Sequence, residues 1–236
     1  MSITAREQEE RKRKPKELIP NGDHLAVCYS LYDLGHQLDD YDTTFKEEER
    51  EQNRKHQIMI IWEIPSIRMK YEKNGEMLEG RKSKHRVYTK SLHEKSKLRE
   101  HLEDWRDKPF TREELSGFEM ESILGKSCML KIRHKPWNWK GDSGIKDAIH
   151  RISPVPKGTE IPEVENSLRT FSFEGVDPTI PDDMPEWIQK IIHKSAEWQI
   201  MVTAGDNALS EQIQSEMEEP DDFDPDDFDP DDDIPF

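Results

Sequence analysis

Nine of the seventeen residues from Pro220 to Phe236, PDDFDPDDFDPDDDIPF, are aspartates, and the stretch has no lysine or arginine. So acidic a segment cannot bury enough apolar surface to offset the entropy of ordering it, which removes it from any packed core. The restriction reaches further back along the chain. Residues 152–236 hold 4 Lys+Arg against 23 Asp+Glu, a net charge of −19. Residues 54–151 hold 23 against 15, a net of +8, and residues 1–53 hold 8 against 13, a net of −5. The overall charge of −16 therefore hides a basic middle joined to a strongly acidic end. That pattern suits a polyanion-binding domain with a separate interaction arm.

With 32% hydrophobic and 36% charged residues over 236 positions, the chain supports one packed domain of roughly 130–150 residues plus extensions. No apolar run has the length of a membrane span, and MSITAREQEERKRKPKE at the start has no apolar signal core. A soluble, intracellular protein with no membrane partner is expected. Cys28 and Cys128 each lie in an apolar, strand-like run, which predicts buried reduced thiols rather than a disulfide or metal pair.

The apolar pattern places strands at His24–Gly35, His56–Ile64 with an extension over Ile67–Tyr71, and Lys84–Leu92. Asn74-Gly75 between the second and third is a hairpin signal. Leu98, Leu102 and Trp105 fall on one helical face, and Thr111-Arg-Glu-Glu114 is a capping box for a second helix ending at Gly125. Ser127–Lys135 and Ile145–Ser153 read as strands four and five, joined by the loop PWNWKGDSG. Three strands, a helical insert and two strands is the element order of an OB-fold, a five-stranded barrel that binds oligonucleotides. The expected fold class is mainly β: an OB-fold with a helical insert, a C-terminal helix and a disordered acidic tail.

The expected organisation is a charged arm over 1–20, the OB-fold over 21–155, a proline-rich linker over 156–184, an amphipathic helix over 185–200 and the tail over 201–236. The helix starts with Pro185 and places Trp187, Ile188, Ile191 and Ile192 on one face.

The last six residues, DDDIPF, resemble the acidic C-terminal tip of bacterial single-stranded DNA-binding proteins. The segment from Tyr88 to Lys135, with the PEWIQ helix start at Pro185–Gln189, is similar to phage and prophage proteins labelled single-stranded DNA-binding or replication-associated. The resemblance implies an OB-fold that holds single-stranded DNA. It also implies a tip that docks on host or phage replication and recombination enzymes, and a place in the bacterial host cytoplasm or nucleoid. The tip residues are Asp231, Asp232, Asp233, Ile234, Pro235 and Phe236. Their chemistry fits docking. Phe236 offers a ring for an apolar pocket and an α-carboxylate for a cation at its rim. Pro235 limits the entropy lost on docking, and the aspartates steer the tip toward a basic surface. Phe223 and Phe228 repeat the aromatic-in-acid theme.

Single strands need cations for phosphates and flat rings for bases. Candidates on the second and third strands are Arg68, Lys70, Tyr71, Lys82, Lys84, Arg86, Tyr88 and Lys90, the even positions of the third strand sharing one face. The fourth strand and its loop add Lys131, Arg133, Lys135, Trp137, Trp139 and Lys140. For the cations the competing reading is an ordinary solvated face, for Tyr88 a core position. Trp62 and Trp105, in apolar company, read as core. Trp137 and Trp139, in a polar loop, read as stacking platforms.

Neither a phosphate-loop motif nor a metal spacing of Cys or His is present, and Asp39-Asp40 reads as a solvated loop, so no enzyme activity, cofactor or metal is expected. The function expected is coating of single-stranded DNA with recruitment of partner enzymes through the tip; homo-oligomerisation is left open. The alternative is an interaction protein whose acidic tail captures or inhibits host DNA-processing enzymes with little DNA affinity of its own. A recombination mediator or annealing accessory on the same fold is a third reading.

Overall fold

The computed structural model describes residues 17–38, 53–73, 75–139, 142–174 and 179–204. Five long strands, β1 (Gly22–Gln37), β2 (Lys55–Lys73), β3 (Glu76–Thr89), β4 (Ser127–Trp139) and β5 (Asp142–Ser153), form an antiparallel sheet in the order β3-β2-β1-β4-β5. The sheet curls strongly into an open half-barrel. Between β3 and β4 lie helix α1 (Lys97–Arg106), the short α2 (Arg112–Ser116) and a 3-10 turn at Met120–Ile123.

The concave face holds the main core. Ala26, Cys28 and Leu31 of β1, Ile58, Ile60, Trp62 and Ile64 of β2, and Leu130 and Ile132 of β4 pack against Leu98, Leu102 and Trp105 of α1. Trp62 is fully buried, with its ring 6.0 Å from that of Trp105. Cys28 and Cys128 are free thiols here, and burial pushes both to higher pKa.

Along β1, strict alternation would put Cys28 and Leu31 on opposite faces. An irregularity between Cys28 and Ser30 lets both point inward, while Tyr29, Tyr32 and Leu34 point to the convex side. That second face is covered too. A short β6 (Arg169–Phe171) pairs parallel to β1, and helices α3 (Glu186–His193) and α4 (Ala196–Ala204) follow. Ile188, Ile191 and Ile192 of α3 and Phe171 close a second core over Tyr29, Tyr32, Met59 and Ile61. Burial on both faces explains why β1 reads as a near-continuous apolar run.

The proline-rich stretch read as a linker is therefore docked on the sheet in its described part. Glu63, fully buried on β2, accepts hydrogen bonds from the backbone N–H groups of Glu165 and Asn166 and pairs with Arg81 at 2.8 Å. The helix expected over 185–200 is two helices. Ser195 separates them, its Oγ accepting from Trp198 N at 3.1 Å as a cap for α4. The capping box at Thr111 and Glu114 forms, but α2 stops at Gly117 rather than Gly125. No helix of the described residues is long and apolar enough to cross a membrane.

Candidate nucleic-acid interface

Because β1 is antiparallel to both β2 and β4, the β2–β3 and β4–β5 turns leave the sheet at the same end, beyond the start of β1. Both turns carry long hairpin arms. The β2–β3 ladder continues to Lys73↔Glu76, with Gly75 at φ 80°, where a side chain would be strained. The segment expected as the loop PWNWKGDSG is instead a continuation of β4 and β5, paired through Trp137↔Gly144 to Trp139↔Asp142. The Trp137 indole lies directly on Gly144, where a Cβ would fall 2.7 Å from its Nε1. A glycine opposite an aromatic lets the ring cover the ladder, so one ring face belongs to the hairpin.

The predicted cations divide into three groups. The even positions of β3 do share a face, but it is the inner one. Lys84 is fully buried and its Nζ lies 2.8 Å from Asp147 Oδ1 on β5, while Lys82, also buried, donates to the Glu17 carbonyl at 2.7 Å. Arg86, partly exposed, donates to the Ile149 carbonyl at 2.6 Å. Lys84 and Arg86 thus bridge the two edge strands, and Ile19, wholly buried, adds its N–H to Asp147 Oδ2 at 2.7 Å. Lys82 and Lys84 are thus unavailable to phosphates. Tyr88 is a core residue, its hydroxyl hydrogen-bonded to His101 Nδ1 at 2.8 Å.

A second group is engaged at the surface. Arg68 pairs with Glu79 and Glu165, and Lys90 with Asp33 and Glu174. Lys70 is exposed and Tyr71 half-buried on the β2–β3 arm.

The third group forms an exposed band. Lys131, Arg133 and Lys135 alternate along β4 with the inward-facing Leu130 and Ile132. Among the described residues no acidic side chain pairs with Arg133 or Lys135, and Lys131 meets Asp23 only at 4.0 Å. His150 sits at the irregularity between the pairs Lys131↔Arg151 and Ile132↔Ile149, exposed beside this row. Loss of hydration, then Arg133, Lys135, Lys131 and Lys97, lowers its pKa. His101 is driven down to about 3 by burial and by Arg86, Lys97 and His150. Arg86, Lys97, Arg133 and the lysines of β4 thus add to the effect of lost hydration at these two histidines. An open cleft of about 450 Å³ is lined by Arg86, Tyr88, Ser91, His93, Lys95 and Lys97 among others.

Lys97 and His150 were not among the sequence candidates. Neither strand alternation nor local charge marks them, because only the curl brings α1 beside β5. The Trp139 side chain, Lys140, Asp39, Asp40 and the tip from Asp231 to Phe236 lie outside the described residues. Compared with protein-family models, curated proteins and solved structures, the chain has no match.

Proposed function

We propose that the half-barrel is an OB-fold that binds single-stranded DNA, and that the acidic tail recruits replication or recombination enzymes. The observation that carries this reading is the exposed row of Lys131, Arg133, Lys135 and His150 on β4 and β5, in which Arg133 and Lys135 have no acidic partner among the described residues, whereas Lys97 nearby is paired with Glu100 at 2.8 Å. The strand order, with the helical insert between β3 and β4, supports the fold assignment.

The convex face of β1 and β2 is occupied by α3 and by Phe171 of β6. We therefore assign the strand's path to the β4–β5 side, between the cleft at α1 and the β4–β5 arm. Phosphates meet the band, and the partly exposed Trp137 offers a base its outer ring face.

Deleting Asp231 to Phe236 tests the division of labour. Pull-down of a replication or repair enzyme from bacterial lysate is expected to be lost. DNA affinity is expected to stay the same or rise slightly, since the tethered acidic segment competes with phosphates for the band. The gain should fade with added salt. Loss of DNA binding in a folded truncated protein would show that the tail belongs to the DNA site.

A further inference from the structure

Three side chains distant in sequence meet where the sheet ends and α4 begins. His36 and His56 are direct cross-strand partners on β1 and β2, with ring centroids 4.6 Å apart. Glu197, in the first turn of α4, turns its carboxylate onto them. Its Oε2 accepts from His36 N at 2.7 Å and its Oε1 contacts His36 Nδ1. Ligating atoms of the three residues all lie within 4.8 Å of one another, and each residue is part-exposed, open to an ion and to water.

The surroundings hold this group in place. His56 Nε2 lies 2.6 Å from Asp33 Oδ1, which also accepts from Gly35 N at 2.9 Å, while Asp33 Oδ2 takes Lys90 Nζ at 2.9 Å. A carboxylate on one imidazole nitrogen fixes the ring and presents the other nitrogen to a metal, as second-shell carboxylates do. Gly35 makes the approach of α4 possible. Its φ is +71°, and a Cβ there would fall 2.5 Å from Glu197 Oε2.

We propose that His36, His56 and Glu197 bind a divalent transition metal ion, zinc being the best fit, with water completing the coordination. Two imidazoles and one carboxylate match the ligand set of zinc, whereas calcium and magnesium require oxygen donors. Tetrahedral ligands at ~2.0 Å from zinc stand roughly 3.3 Å apart, a separation within the 4.8 Å span of the three ligating atoms here. The ion pins α4 to the ends of β1 and β2 and so fixes where the acidic tail leaves the domain. This inference is independent of the DNA-binding reading.

The test uses the full chain stripped with a chelator and titrated with zinc chloride by calorimetry. One zinc per chain and a rise in melting temperature are expected. The His36→Ala and His56→Ala variants should each bind at least about tenfold more weakly, and Asp33→Asn should show a smaller loss. X-ray absorption on the zinc-loaded wild-type protein reads the ligands without any substitution, and two imidazoles are expected. Absence of stoichiometric binding, an all-oxygen shell such as the tail aspartates would give, or unchanged affinity in folded histidine variants would each overturn the proposal.

Discussion

Replacing Asp147 with alanine is expected to destabilise the fold by about 3–5 kcal/mol, because it leaves Lys84 buried without the carboxylate opposite it. For a chain of this size that corresponds to a fall in melting temperature of roughly 6–20 °C. The pair links the two edge strands β3 and β5 of the curled sheet, and Asp147 also anchors Ile19 N. Replacing both partners with apolar residues, Lys84→Met with Asp147→Leu, should recover part of the loss, since no charge is then stranded. The pH dependence follows. Burial raises the Asp147 pKa, but Lys84 and the Ile19 N–H outweigh it and hold the carboxyl below the ordinary aspartate value of 3.8. A depressed folded-state pKa contributes stability that is present above 3.8 and lost as pH falls through the folded value. The wild-type protein should therefore lose stability on acidification below about pH 4 more steeply than the doubly apolar variant. Thermal denaturation across pH reads both effects.

Reversing the charge of Arg133 and Lys135 together, to glutamate, is expected to weaken binding to oligo-dT by roughly 10–100-fold at low salt while leaving the fold intact. Both side chains are exposed and make no ion pair with a described acidic residue, so their loss has little structural cost. Two lost phosphate contacts should also reduce the log–log salt slope by about 1.4. Lys84 provides the contrast. Although it was an equally good candidate by charge, its replacement should act on stability and affect DNA only through unfolding. Titrations by fluorescence anisotropy, beside melting curves, separate the two cases.

That contrast shows what could be read from the residues. The period-2 pattern of β3 marks Lys82, Lys84 and Arg86 as sharing a face, and they do. It does not say which face is inside, because Asp147, which makes the interior tolerable for Lys84, is 63 residues away. Local signals survived better. The strands on either side of the expected turn pair as far as Lys73↔Glu76, Thr111 and Glu114 cap each other, and Leu98, Leu102 and Trp105 face the core. Where a tertiary contact overrides a local cue, the cue misleads. Gly144 beneath Trp137 turns an apparent loop into a hairpin, and the buried Glu63 carboxylate holds a proline-rich segment that looks unstructured. His36, His56 and Glu197 have no spacing to recognise, since strand pairing and helix docking alone bring them together.

Whether the basic band holds single strands is read by comparing oligo-dT with duplex of equal length over a range of salt. Tighter binding to oligo-dT is expected, with a log–log salt slope of about −0.7 for each phosphate neutralised. Duplex binding equal to or tighter than oligo-dT binding, or no measurable affinity for either at low salt, would contradict that role for the band.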